Sequence, residues 1–113
     1  MTADLIVGIA AAVEDDDLLL PGSMELAQNY PNPFNLNTNI PFYLSEKNDI
    51  TIDIYNIKGK LIISLNNKRE DVGFGEFLWD GRDKYGSSVS SGIYFYRLRL
   101  DDFKKVKKAL FLK

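Results

Sequence analysis

Hydrophobic and polar residues alternate in short runs from residue 39 onward, which is the pattern of β-strands with one buried face. The clearest run is ITIDIY at 50–55, where isoleucine fills every second position. A similar run spans 40–45, and Pro41, which has no N–H to donate, predicts an edge strand there. Further strands are predicted at 60–65, 74–79, 92–100 and 103–112.

Turn residues separate these runs. Asn56–Gly59 predicts a hairpin turn, 66–73 a charged loop, and Asp80–Gly86 a tight polar loop. Asp101 and Asp102 predict a further turn. Six or seven short strands, with turn signals at intervals of about 8–12 residues and no convincing helix after residue 24, are typical of an all-β sandwich.

The predicted core follows from the same pattern. We expect Trp79 at its centre, and we expect Tyr30 and Phe34 to pin the proline-containing loop 28–35 to one end of it. The residues expected to face the core from the last strand are Val106, Leu110 and Leu112.

The first 24 residues differ from the rest of the chain. An apolar run at 5–13 precedes the acidic run 14–17 and a turn or linker at 21–23. We interpret 1–24 as a linker or the tail of an upstream segment, and 25–113 as the sandwich domain. Alternatively, residues 5–13 add a strand to a sheet edge, in their own chain or in a neighbour, which would make the protein a structural interaction module. The run lacks a basic leader and is a poor secretory signal.

Composition excludes several classes of function. The 113 residues include no cysteine and no histidine, which excludes zinc sites built on thiolates or imidazoles and also Ser-His-Asp or Cys-His catalysis. A net charge of −2 argues against nucleic acid as the main partner. No apolar stretch approaches the roughly 20 residues of a membrane span. The charge is nevertheless uneven, because the first 24 residues are acidic and the last ten are rich in lysine.

Carboxylates offer little further chemistry. Glu70, Glu76, Asp80 and Asp83 are the candidates for an acid–base pair, but nothing in their spacing places two of them across a cleft. We therefore predict no enzyme activity and no cofactor. Asp80 and Asp83 are also weak candidates for calcium ligands, although the basic residues between and beside them oppose a cation.

The aromatic residues and the lysine-rich end each allow a structural and a functional interpretation. A carbohydrate-binding accessory domain would use aromatic side chains as a platform, whereas aromatics on alternating strands are more often core residues. The platform candidates are Phe74, Phe77, Trp79, Tyr85, Tyr94 and Tyr96. The lysine-rich end is either an edge strand protected against aggregation or an exposed strand that another protein recognises; the residues alone favour neither.

Five motifs occur together: QNYPNPFN at 28–35, IYN at 54–56 followed by Gly59, WDGRD at 79–83 followed by Gly86, SGIYFY at 91–96, and the lysine-rich end. In this order and spacing they resemble the type A sorting domain at the C terminus of proteins secreted by the type IX system of Bacteroidetes and related bacteria. That domain is similar to the immunoglobulin-like domain of the flagellar hook-capping protein. The resemblance covers about 26–113, and it departs at Leu36, where a proline usually stands.

The resemblance implies an immunoglobulin-like β-sandwich of about seven strands that is not catalytic. It implies a secretion-targeting and surface-attachment module, read by an outer-membrane translocon and commonly removed by a sortase-like peptidase. The parent protein would then be exported to the outer-membrane surface or the medium. The positions that the resemblance nominates for recognition are Gly92, Tyr94, Lys104, Lys105, Lys107, Lys108 and Lys113.

Overall fold

The computed structural model describes residues 24–100 and 103–113, without the side chains of 67–70. Seven strands form in these residues, as predicted, and no helix does. Their bounds are β1 Met24–Leu26, β2 Thr38–Leu44, β3 Asn48–Asn56, β4 Leu61–Glu70, β5 Gly73–Trp79, β6 Gly92–Leu100 and β7 Phe103–Phe111. The described part of the chain contains no helix long and apolar enough to cross a membrane. The predicted turn at 101–102 and the predictions for 1–23 lie outside the described residues.

The strands form two antiparallel sheets, one of order β1-β2-β5 and one of order β4-β3-β6-β7. Strand alternation creates the core between them, because every second side chain of β3 and β6 is buried. In β6 the buried series contains both tyrosines and both leucines, while Arg97 and Arg99 lie on the opposite face. The all-β sandwich is confirmed.

Trp79 is in the core as predicted, with 2% of its surface exposed. Its ring centroid lies 5.4 Å from that of Phe34 and 5.3 Å from that of Tyr94. Phe34 is buried and holds its loop against the core, as expected, but Tyr30 is 44% exposed and does not. The Tyr30 hydroxyl instead donates a hydrogen bond to Glu76 on the outer surface of β5, at 3.0 Å.

The prediction that Pro41 marks an edge strand is wrong, since β2 lies between β1 and β5. Strand β1 ends at Leu26, opposite Phe42, so Pro41 lies one residue beyond the regular ladder. The Ala27 N–H still donates to the Pro41 carbonyl at 3.0 Å, but Pro41 has no N–H to return the bond. The missing donor is thus tolerated inside the sheet, and the Ala27 carbonyl is left to find another partner.

The charged loop predicted at 66–73 is also wrong, because β4 continues to Glu70 and only residues 71 and 72 connect it to β5. Backbone pairing with β3 extends through this polar stretch, with Asn66 opposite Thr51, Glu70 opposite Asn48 and a register shift between Asn48 and Ile50. A ladder needs main-chain partners rather than apolar side chains, so polar composition did not end the strand.

In β7, the prediction of core residues is wrong by one position. Val106 and Leu112 are 56% and 48% exposed and Leu110 is half-buried, whereas Ala109 and Phe111 are buried. The reason is strand parity: Ala109 lies opposite the buried Tyr94, and Val106 lies opposite Arg97 on the outer face. A shift by one residue exchanges the two faces of a strand.

Candidate functional site: the lysine-rich edge strand

The lysine-rich segment is a paired strand. It pairs with β6 over its whole length, from Gly92 opposite Phe111 to Leu100 opposite Phe103. On its other side β7 is the edge of the four-stranded sheet. Lysines that the sequence groups into one basic run are therefore displayed along a sheet edge in fixed alternation.

The four strand lysines divide between the two faces of the sheet. Lys104 and Lys108 lie on the outer face, since their partners on β6 are Arg99 and Phe95. Lys105 and Lys107 lie opposite buried residues of β6 and point to the core side, yet both are exposed. Inward-directed charges at an edge discourage unspecific strand pairing. None of the four forms an ion pair with another described residue.

The loop that follows β1 seals one half of the β7 edge. Gln28 donates its side-chain N–H to the Lys108 carbonyl at 2.7 Å, and the Asn32 side-chain oxygen accepts the Leu110 N–H at 2.9 Å. The Phe34 N–H donates to the Leu110 carbonyl at 3.0 Å, and the Leu112 N–H donates to the Phe34 carbonyl at 2.8 Å. We call residues 108–112 the sealed half of the edge.

Residues 103–107 form the open half of the edge. Strand alternation directs the main-chain groups of Lys104 and Val106 away from β6, to the same side as those of Lys108 and Leu110. Within the described residues nothing bonds to them on that side. The open half therefore combines unpaired backbone groups with flanking lysines, which is an arrangement that accepts an added acidic strand.

The other nominated residues do not share this surface. Tyr94 is 6% exposed, and its hydroxyl donates to the Ser90 carbonyl at 2.6 Å. Burial raises the pKa of this phenol. Gly92 lies opposite Phe111 at the sealed end, and the Lys113 N–H donates to the Ser91 hydroxyl at 2.9 Å. The structure thus brings the four strand lysines together but keeps Tyr94 in the core.

The two calcium candidates bond within their own loop. One oxygen of Asp83 accepts the N–H groups of Tyr85 and Ser87, both at 2.9 Å, and Asp80 accepts the N–H of Arg82 at 3.2 Å. These are the side-chain contacts of a polar turn. Among the residues that the structure describes, no three acidic side chains lie close enough together to hold a metal ion.

The structure supports the core interpretation for four of the six aromatic residues, and the alternative of an aromatic platform does not form. Trp79, Tyr94, Tyr96 and Phe77 are all buried in the sandwich core. Phe74 and Tyr85 are exposed, but they lie on β5 and in the Asp80–Gly86 loop, so they cannot complete the surface that the sequence suggested. The buried aromatic side chains pack against one another; for example, Trp79 lies edge-to-face on Tyr94.

Sequence reasoning missed an ionic cluster on the outer face of the four-stranded sheet. Asp53 is 3% exposed and accepts hydrogen bonds from Arg99 Nε at 2.6 Å, Ser64 Oγ at 2.7 Å and Arg97 Nη2 at 3.0 Å. Burial acts to raise the pKa of Asp53, but these bonds outweigh it and hold the pKa below its ordinary value. The signal was an aspartate inside the isoleucine run, matched by two arginines at alternate positions of a later strand.

The family of the chain follows from sequence comparison. The family model of the FlgD Ig-like domain matches residues 34–101, which is more than half of the chain. The chain belongs to the FlgD Ig-like domain family. This confirms the immunoglobulin-like character of the sandwich and its kinship with the FlgD domain. No match is found among curated proteins by sequence.

Solved structures share the FlgD Ig-like fold. Dimeric latent PorU from Porphyromonas gingivalis is 22% identical, with a TM-score of 0.67 over 82% of this chain and 10% of PorU. FlgD from P. aeruginosa is 18% identical, with a TM-score of 0.56 over 80% of this chain and 75% of FlgD. PorZ from Porphyromonas gingivalis, an essential surface component of the type IX secretion system, is 18% identical, with a TM-score of 0.54 over 76% of this chain and 11% of PorZ. This chain thus spans about a tenth of PorU and PorZ, and the likeness is one of fold.

Proposed function

We propose that this FlgD Ig-like domain is a non-catalytic secretion-targeting and surface-attachment module of an exported bacterial protein. Its partners are the outer-membrane translocon of a type IX secretion system and a sortase-like peptidase that removes it. One observation carries the proposal: four lysines lie along the open half of an edge strand and at its border with the sealed half. The fold that it shares with PorZ, a surface component of that system, supports the same role.

The geometry suggests how recognition works. An edge strand offers main-chain hydrogen bonds to an incoming strand, and flanking side chains select the partner. Lysines on both faces favour an acidic partner, which they also attract at a distance. Lys113 adds an exposed charge beyond β7. Gly92 pairs with Phe111 and Tyr94 is buried in the core, so these two residues act by holding the end of β7 in place.

Deleting residues 103–113 would be a poor test, because Phe111 is buried in the core and β7 pairs with β6 along its length. A sharper test keeps the strand and removes its charge. We fuse the full chain to an exported reporter in a bacterium with a type IX system and substitute K104Q/K105Q/K107Q/K108Q. The expected result is a reporter retained in the periplasm, measured by surface labelling and cell fractionation.

The double variants K107Q/K108Q and K58Q/K60Q form a matched pair, since each removes two exposed lysines and only the first touches the candidate site. We expect reduced surface delivery for the first and normal delivery for the second. Normal surface delivery of the quadruple variant, with the fold verified by circular dichroism, would exclude the lysines as the recognition element.

A structural interaction module that assembles by strand addition is the second candidate, because the open half of β7 can accept a strand. In that case residues 5–13 of one chain would pair with a neighbouring copy. Size-exclusion chromatography over a range of concentrations distinguishes the two functions. A monomer at all concentrations argues against assembly.

A further inference from the structure

The two outer faces of the sandwich carry opposite charges. We propose that the outer face of the three-stranded sheet in one copy of this domain packs on the outer face of the four-stranded sheet in a second copy. We call these surfaces the acidic face and the basic face. The inference does not rest on the sorting function, and it concerns the faces of the sheets rather than the open half of the β7 edge.

The acidic face is the outer side of β1, β2 and β5, three strands that contain no lysine or arginine. Its charges are Glu25 and Glu76, and neither forms an ion pair within the described part of the chain. Tyr43 lies opposite both Glu25 and Phe74, and Phe74 and Leu78 are more than half exposed. Contiguous exposed apolar side chains mark interaction surfaces. This face therefore offers apolar contact area together with negative charge.

The basic face is the outer side of β6 and β7. Lys104, Val106 and Lys108 alternate along its outermost strand, and Arg99 lies opposite Lys104. Val106 is more than half exposed. Asp53 is buried and neutralises only part of the positive charge, because it bonds to the two arginines of β6 and to neither lysine. This face therefore offers an apolar side chain between two exposed positive charges.

The charges on the two faces have similar separations. Four residues of extended strand span about 13 Å, which is the distance between the two lysines along β7. Glu25 lies two strands from Phe74, and Glu76 lies two residues from Phe74 along β5, so the glutamates are about 12 Å apart. Tyr43 lies between the glutamates as Val106 lies between the lysines. Two ion pairs around an apolar contact can therefore form at once.

Charge selects this head-to-tail contact over a contact between two like faces. Two basic faces would bring lysines against lysines, and two acidic faces would bring glutamates against glutamates, both of which are unfavourable. A head-to-tail contact leaves one acidic and one basic face free in each pair of copies, so further copies can add. Salt should weaken the association, since at about 1 M the screening length falls to about 3 Å.

Charge reversal in the full chain tests the pairing of faces by sedimentation velocity at low salt. The variant E25K/E76K makes both faces basic, and K104E/K108E makes both faces acidic. We expect the parent chain to self-associate as its concentration rises, and each variant alone to associate about tenfold more weakly. An equimolar mixture of the two variants should associate again, because each supplies the face that the other lacks.

Two matched controls reverse the same number of charges in the connections between strands, E46K/D71K for the first variant and K58E/K60E for the second. Both should associate as the parent chain does. Circular dichroism verifies that every variant is folded.

Three results would overturn the proposal. The first is a parent chain that stays monomeric at every concentration. The second is association that persists in E25K/E76K, since the occupant of the basic face is then an added strand or another acidic part of the chain. The third is a mixture of folded variants that does not associate. Because E25K/E76K keeps every lysine of β7, its surface delivery tests the targeting role separately from self-association.

Discussion

The Tyr96 hydroxyl donates a hydrogen bond to the Ala27 carbonyl, 2.8 Å away and 69 residues earlier in the chain. The same oxygen accepts the N–H of Asn29 at 2.8 Å. Pro41 explains the first bond: Ala27 donates to Pro41 but receives nothing in return, so the tyrosine supplies the donor that proline lacks. One core side chain thereby connects β6 to the start of the loop that seals β7.

Replacing Tyr96 by phenylalanine should therefore cost about 1–3 kcal/mol in the free energy of unfolding, since a buried carbonyl and a buried N–H lose their partner. Urea denaturation followed by tryptophan fluorescence measures the change. Y85F serves as the control, because Tyr85 is 81% exposed and its removal should be near neutral. Equal stability of Y96F and the parent chain would show that water replaces the hydroxyl.

The Asp53 cluster predicts how stability depends on pH. The pKa of Asp53 is lowered in the folded state, so the folded protein holds its proton less tightly than the unfolded chain, where the pKa is about 3.9. The stabilisation is complete above about pH 4 and is lost as the pH falls through the lower, folded-state value. Urea midpoints measured from pH 7 down to pH 2 should show this decline.

The substitution D53N should remove part of that acid-dependent decline and cost about 2 kcal/mol at pH 7, because Arg97 and Arg99 lose a charged acceptor. Asp71 provides the control: it pairs with Lys47 at 3.4 Å, but its side chain is 84% exposed, so D71N should change stability by less than about 0.5 kcal/mol. A D53N profile parallel to that of the parent chain would show that other carboxylates govern acid unfolding.

Alanine substitutions at two glycines of the loop between β5 and β6 distinguish the cost of backbone strain from that of steric crowding. Gly81 and Gly86 both have positive φ, at 72° and 85°. A Cβ on Gly81 would lie 3.1 Å from Cζ of Phe111, whereas one on Gly86 meets nothing within 4 Å. G86A should cost about 1–2 kcal/mol for its left-handed backbone, and G81A should cost measurably more. Thermal unfolding of both variants tests this order, and equal losses would mean that the Phe111 ring moves aside freely.

The strand pattern was predictable because each strand buries one face, and alternation records which residues lie there. The runs around Ile52 and Tyr96 follow this rule, and for that reason the sandwich fold could be predicted from them. The sequence did not show where ladders end, because the backbone of β4 pairs through polar residues. Nor did it show which half of β7 is sealed, because Gln28 and Asn32 lie about 80 residues from the strand that they contact.

The end of β7 provides the last prediction, at the two neighbouring residues where sequence and structure disagree. Phe111 is 2% exposed and stacks on Phe34 with ring centroids 4.7 Å apart, whereas Leu112 is 48% exposed. F111A should cost about 3–5 kcal/mol and L112A less than about 1 kcal/mol, because only the first leaves a core cavity. The Leu112 N–H bonds to the Phe34 carbonyl through the main chain, so neither substitution removes this donor. Denaturant midpoints of the two variants measure this difference. A larger loss of stability for L112A than for F111A would contradict the burial of Phe111 and favour the core residues predicted from the sequence pattern.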